Sequence, residues 1–210
     1  MSNEMKPSGS FIYRFIKRAF DIICSVILMI PIGIVIGISC IFIKAEDRGS
    51  VFYMAERTGR FGKSFKMYKL RSMKENAPDI RLADGSTYNG DNDPRVTNFG
   101  RFARKTSIDE LPQVINILKG DMSWIGPRPI TTDRPLEEYD QKRIDRLKVK
   151  PGITGYAQAY YRNNIDQEHK LQLDAEYAKN VNFIWDVKIV FKTVETVLRR
   201  KNIYSAGKTK

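Results

Sequence analysis

The run Ile22-Ile-Cys-Ser-Val-Ile-Leu-Met-Ile-Pro-Ile-Gly-Ile-Val-Ile-Gly-Ile-Ser-Cys-Ile-Phe-Ile43 decides what kind of molecule this is, because none of its side chains carries a charge. As a helix it is roughly 33 Å long, enough to cross the apolar core of a bilayer. It lacks the cleavage pattern of a signal peptide. The flanks argue against a simple crossing. Arg14, Lys17 and Arg18 precede the run, and Lys44, Arg48, Arg57, Arg60, Lys63, Lys66, Lys69 and Arg71 follow it. Cations favour the cytoplasmic side, so both ends ask for the same side. Pro31, near the middle, removes a helical hydrogen bond and favours a kink, with Gly33 and Gly37 beyond it. These residues alone leave two arrangements open: a helical hairpin that dips into one leaflet and returns, and a kinked spanning helix. Asp21 is costly at the membrane boundary and is expected to pair with Arg18 or Lys17.

Working outward, 210 residues allow one domain of moderate size plus one extra element. The net charge of +12 implies an anionic partner: nucleic acid, an anionic membrane surface or a phosphorylated substrate. Cys24 and Cys40 both fall in the apolar run, which argues against a disulfide framework or a thiolate zinc site. A single histidine, His169, argues against Ser-His-Asp catalysis and histidine-rich metal sites.

Beyond the apolar run, residues 51–54 and 64–70 read as two strands joined through Gly59 and Gly62 into a hairpin. Residues 75–94 form a long polar loop. Asn98 is read as the cap of a short helix reaching about Lys105. A second helix is expected from about Glu110 to Leu118, closed by Gly120, with 127–129 extended after it. Residues 136–147, 168–180 and 185–200 read as helices, the last amphipathic, and 150–155 as a turn. The fold class is therefore α+β, predominantly helical with a small β-hairpin or sheet. The predicted division is a disordered tail (1–10), a membrane helix (11–46), a catalytic domain (47–203) and a second tail (204–210).

Chemistry concentrates at Asp109-Glu110, within Ser107-Ile-Asp-Glu-Leu-Pro-Gln113. A helix start presents unpaired N–H groups and the positive end of the macrodipole, which favour anions and keep a carboxylate ionised. An ionised Asp beside a phosphate site can attack phosphorus. The plainer reading is a capping box, with Ser107 and Glu110 satisfying the first turn. Asp91-x-Asp93 fits the metal signature of a nucleotide-sugar glycosyltransferase, which would release UDP, but a turn in an acidic loop is the better explanation, and the alternating strands and helices of that fold are not found. The basic charge also permits a non-enzymatic membrane-tethered binding module. No nucleic-acid motif accompanies that charge, so no nucleic-acid partner is expected.

Five motifs then occur in order: Lys17-Arg-x-x-Asp21, Phe65-Lys-Met-Tyr-Lys-Leu-Arg-Ser-Met73, Ser107-Ile-Asp-Glu-Leu-Pro-Gln113, Gly120-Asp-Met-Ser-Trp-Ile-Gly-Pro-Arg-Pro129 and Lys150-Pro-Gly-Ile-Thr-Gly-Tyr-Ala-Gln158. Together they resemble the bacterial sugar transferases, the monotopic phosphoglycosyl transferases that start lipid-linked glycan assembly. The resemblance implies an N-terminal re-entrant helix-break-helix, with the catalytic domain on the cytoplasmic face of the bacterial inner membrane. It implies transfer of a sugar-1-phosphate from a UDP-sugar donor to a polyprenol (undecaprenyl) phosphate acceptor, through a covalent aspartyl intermediate with release of UMP. Mg²⁺ is the implied cofactor and membrane lipids are implied partners, with room for a homodimer.

On this resemblance Asp109 matches the nucleophile, and Glu110 its partner in holding Mg²⁺, a hard cation that prefers oxygen. Lys69, Arg104, Arg128, Arg162 and Asp174 match substrate-binding positions, although a solvated surface charge explains some of them equally well. Prolines on both sides fix the backbone of Arg128, and its guanidinium can grip phosphate oxygens in pairs. Glu168 matches a further acidic position. Lys17 and Arg18 are expected to anchor to lipid headgroups, and Pro31 to make the membrane kink. Two departures from the family stand out. Ile30 occupies the place before Pro31 where relatives carry Ser, which leaves Ser25 as a source of polar support. Tyr160-Tyr161-Arg162-Asn163 replaces an Asn-Gly-Arg pattern.

Overall fold

The computed structural model describes residues 5–80, 88, 90, 92–131, 135–161 and 165–199. Helix α1 (Phe11–Asp47) has 37 residues and is roughly 55 Å long. The Ser10 hydroxyl starts it by accepting the Tyr13 N–H at 3.1 Å, and Arg48 ends it in the left-handed conformation (φ 56°). Pro31 lies inside α1, and where a helix-break-helix was predicted the helix is assigned continuously through it. A proline removes one rung of the ladder, and where no water is at hand to receive freed carbonyls the remaining rungs are worth keeping. Ser25 does not serve the proline either; its hydroxyl accepts the Trp124 indole N–H at 3.1 Å.

Both halves of α1 are tied to the same body. Near its start, Arg18 donates to the carbonyls of Ile117 (2.6 Å) and Leu118 (2.9 Å), and Lys17 pairs with Asp186 at 2.7 Å. Asp21 pairs with neither cation as predicted. Its carboxylate instead accepts from the Ser123 hydroxyl (2.9 Å) and the Trp124 N–H (3.1 Å). Near the end of α1, Asp47 pairs with Arg71, the Phe42 ring stacks on Phe99 at 5.8 Å, and Glu46 accepts the Phe99 N–H. Between these ties the helix shows its apolar side chains outward, with Ile27, Ile30 and Ile41 exposed by 67%, 75% and 69%.

The fold class is α+β with small sheets, as predicted. β1 (Phe52–Thr58) and β2 (Ser64–Leu70) form the expected antiparallel hairpin, Phe52 opposite Leu70 and Thr58 opposite Ser64. Its turn needs left-handed backbone at Phe61 (φ 60°) and Gly62 (φ 79°). α2 (Asn98–Thr106) is capped by Thr97 rather than Asn98, the Thr97 hydroxyl accepting the Gly100 N–H at 2.9 Å. α3 (Gln113–Lys119) begins three residues later than predicted, because Pro112 takes the capping position and residues 108–110 form a 3₁₀ turn. Gly120 closes it as expected, left-handed at φ 92°.

β3 (Ser123–Ile125) follows, and then β4 (Ile130–Thr131), which adds to the free edge of β1 to give the order β2-β1-β4. The predicted 136–147 helix divides into a 3₁₀ turn (Leu136–Glu138) and α4 (Gln141–Arg146). Where a turn was predicted at 150–155, β5 (Gly152–Thr154) pairs parallel to β3. α5 (Tyr156–Tyr160), α6 (Gln167–Lys179) and α7 (Phe183–Leu198) complete the chain, the last two close to prediction.

Two apolar clusters hold the layers together. Ala55, Met67, Ile117 and Met122 join the hairpin to α3, and Ile125, Ala159, Tyr177 and Ile189 join β3 to α5, α6 and α7. The parallel pair is possible because its glycines carry no side chain. A Cβ on Gly126 would lie 2.3 Å from the Lys150 carbonyl oxygen, and one on Gly152 would lie 2.1 Å from the Gly126 nitrogen. Backbone cannot give way as a side-chain tip does. Gly126→Ala is therefore expected to cost more than about 2 kcal/mol, measured as a lower denaturation midpoint.

Candidate active site

Asp109 and Glu110 sit in the 3₁₀ turn between α2 and α3. The capping-box reading does not hold. Ser107 is left-handed (φ 60°), makes no side-chain cap, and closes α2 by donating its N–H to the carbonyls of Ala103 and Arg104. This sharp reversal turns the acidic pair inward against β2. Asn116 fixes the other side. Its buried amide accepts the Tyr68 N–H (3.0 Å) and donates to the Lys66 carbonyl (2.8 Å), satisfying backbone groups along β2 and setting α3 at a fixed height beside that strand. Lys69, the next residue along β2, then meets Glu110.

Glu110 is held by two cations, Lys69 at 3.1 Å and Arg128 at 3.0 Å. Burial alone would raise its carboxyl, but Arg128 and Lys69 outweigh burial and hold it down at about 2. Asp109 is more deeply placed, 8% exposed, and makes no hydrogen bond or ion pair among the described residues. Burial pushes its carboxyl up to about 6, against the pull of Lys69, and the charge of Glu110 adds to the rise. Two neighbouring carboxylates thus have opposite characters: one clamped and permanently ionised, the other poorly solvated and unengaged. Arg104 comes close enough to draw on Asp109 as well, while its Nε donates to the Ser72 hydroxyl at 3.0 Å.

The backbone of Arg128 is fixed from behind as well as by its prolines. Its carbonyl accepts from Arg146 at 2.6 Å, and the same Arg146 nitrogen pairs with Asp174 at 2.6 Å, both side chains being buried. Burial pushes the Asp174 carboxyl up to about 6 against the attraction of Arg146. Asp174 therefore does not join the residues around Asp109; it reaches them only through Arg146. Nothing in the sequence marks Arg146, because its partner is 28 residues away on another helix.

The structure thus gathers Lys69, Arg104, Arg128, Asp109 and Glu110. Glu168 is exposed and paired with Lys142 at the surface. Lys17 and Arg18, expected to hold headgroups, spend their hydrogen bonds on Asp186 and on the end of α3. Arg162 lies outside the described residues, as does Asp91. Asp93 is fully buried and paired with Arg95 at 2.7 Å, so its carboxylate serves structure and the Asp-x-Asp metal reading loses its support.

Cations thus crowd round one clamped carboxylate and one that is unengaged among the described residues, on a body tied to a long apolar helix. A profile of the bacterial sugar transferase family matches residues 12–200. The chain is 42% identical over 202 residues to the undecaprenyl-phosphate galactose phosphotransferase of Salmonella typhimurium, covering 91% of this chain and 42% of that protein. It is 40% identical to the sugar transferase EpsL of Bacillus subtilis, covering 90% of each chain. It is also 40% identical to the UDP-N-acetylgalactosamine-undecaprenyl-phosphate N-acetylgalactosaminephosphotransferase of Aeromonas hydrophila, covering 89% of this chain and 44% of that one. The chain belongs to the bacterial sugar transferase family. It spans less than half the length of the Salmonella and Aeromonas relatives.

Proposed function

We propose that the chain transfers a sugar-1-phosphate from a UDP-sugar to undecaprenyl phosphate at the cytoplasmic face of the inner membrane, beginning the assembly of a lipid-linked glycan. The observation that carries this reading is Asp109: a buried carboxylate without a hydrogen-bond or ion-pair partner among the described residues, beside one that two cations hold ionised. The names of the Salmonella and Aeromonas relatives describe the same acceptor and the same kind of transfer.

In this reading an Asp109 oxygen attacks the β-phosphorus of the donor. The bond from that phosphorus to the oxygen bridging it to the α-phosphate breaks, and UMP leaves with the electron pair. An oxygen of the acceptor phosphate then attacks the same phosphorus, the Asp109 oxygen–phosphorus bond breaks, and the carboxylate is restored. Lys69, Arg104 and Arg128 offset the repulsion between an anionic diphosphate and an incoming carboxylate. No three acidic, His or Cys side chains gather into a metal cage among the described residues. The carboxylates of the neighbouring residues Asp109 and Glu110 nevertheless suit Mg²⁺, which takes one or two carboxylates and completes its shell with water and substrate phosphate. When bound, the ion would supply charge neutralisation at the diphosphate.

The attachment of both ends of α1 to one body, together with its cationic flanks, supports a helix that enters and leaves the same leaflet. A stripe on α7 (Ile184, Val187, Phe191, Leu198) is exposed and apolar, which supports contact with the same lipid surface.

Donor labelled at the β-phosphate, given without acceptor, is expected to leave label on Asp109 and to release UMP in equal amount. Release of UDP, or turnover with no labelled protein, would overturn the proposal. Arg128→Ala is expected to lower kcat/KM roughly a hundredfold, with Arg128→Lys recovering only part of it, since a point charge cannot replace the paired donors.

A further inference from the structure

We propose that the cavity walled by Arg14, Lys17, Arg18, Arg60, Lys148 and Lys150 is a second anion site, which seats a phosphate group at the end of α3 away from Asp109. The cavity holds about 240 Å³ and draws its cations from the first turns of α1, the hairpin turn and the approach to β5. Four of the six are engaged: Lys17 with Asp186, Lys148 with Asp145, and Arg14 and Arg18 with backbone carbonyls. Arg60 and Lys150 are half-buried and have no side-chain hydrogen bond or carboxylate partner among the described residues. Asp21 is the one acidic lining residue, and its carboxylate is already occupied by Ser123 and Trp124.

Cations held together without a counter-ion raise the free energy of the empty cavity, and an anion relieves it. The Lys150 amine shows the strain. Burial, then Arg18 and Arg60, bring it down to about 8, although Asp21 and Asp121 pull the other way. Burial and Arg14 likewise lower Arg60. A phosphate offers charge and several acceptor oxygens at once, which suits guanidinium and ammonium donors converging from different segments.

The site is distinct from the catalytic one. Arg18 grips the last carbonyls of α3, whereas Asp109 precedes its start, and an α-helix of this length spans about 10 Å. None of Lys69, Arg104, Asp109, Glu110 or Arg128 lines the cavity. A phosphate seated here is not the one that reacts. The turns of α1 that supply Arg14, Lys17 and Arg18 expose Phe11, Ile12 and Phe15 by 75%, 68% and 66%. A lipid headgroup can therefore reach the cavity, as can free phosphate.

The test is thermal unfolding of the full chain, in neutral detergent with potassium phosphate against potassium chloride at matched ionic strength, and in phosphatidylcholine nanodiscs with and without phosphatidylglycerol. Tm is expected to rise by about 3 °C or more in at least one arm. A rise with free phosphate supports the seat with a soluble source, and a rise confined to phosphatidylglycerol supports it with a lipid source. Arg60→Gln/Lys150→Gln is expected to show no rise in either arm and, without anion, to melt above the wild type, because the repulsion is gone. Lys150→Gln alone is expected to show about half the wild-type rise. No rise in the wild type, equal rises in wild type and double variant, or a double variant that melts lower without anion, would each overturn the proposal.

Discussion

Asp109→Asn is expected to abolish labelling and to lower UMP release at least about a thousandfold, while making the protein more stable. The two effects have one source. Burial raises the Asp109 carboxyl to about 6, so the native state holds this proton more tightly than the unfolded chain does. The stability linked to that proton is fully present below the unfolded value near 4 and is lost as pH rises through about 6. At neutral pH the ionised side chain is a net cost of roughly 3 kcal/mol, which the amide does not carry. The melting temperature of the Asn variant should therefore exceed that of the wild type by about 6 °C or more at pH 7.5 and approach it near pH 4. In the wild type, the first half-reaction should slow as pH falls below about 6, because the protonated acid cannot attack. An Asn variant that melts below the wild type at neutral pH would show that Asp109 supports the fold instead of straining it.

Asp186→Ala is expected to destabilise by about 3–5 kcal/mol. Asp186 is buried and receives three donors: the Tyr13 hydroxyl at 2.8 Å, the Tyr177 hydroxyl at 2.6 Å and the Lys17 ammonium at 2.7 Å. Removing it leaves a cation and two phenols in a half-buried space without an acceptor. Two of these donors belong to α1, so the damage should concentrate at the joint between the long helix and α7. Hydrogen exchange in detergent should rise first over residues 11–21 and 183–190, before the hairpin. Asp186→Asn should recover part of the loss, since it keeps an acceptor and gives up the charge.

The sequence disclosed what is local or chemically conspicuous. The hairpin was legible from its glycines and apolar runs, α7 from its periodicity, and the Gly120 stop from its residue type. Asp109 and Glu110 stood out as an acidic pair at a predicted helix start, just ahead of the Gly120–Pro129 motif. β3 and β5 were not legible: three residues carry no pattern, and the reason they pair is the missing Cβ on glycines 26 residues apart. The partners of Asp21, Lys17 and Arg18 were misread for a related reason. Each lies about 100 residues or more along the chain, on β3, α7 or the end of α3, while sequence reasoning offered the nearest opposite charge. At Pro31 a break was predicted where the helix is assigned straight through, because a proline removes one backbone hydrogen bond while the turns on either side keep theirs.

If α1 enters and leaves one leaflet as proposed, its attachment at both ends to one block leaves nothing to be carried through the lipid. Lys17 and Asp21 hold one end of α1, Asp47 and Phe42 the other, and the stretch between them turns its apolar side chains outward. Insertion then requires no export of a polar tail, and biogenesis can proceed after the body has folded. Cysteine-accessibility labels placed just before Phe11 and just after Asp47 should answer to the same compartment.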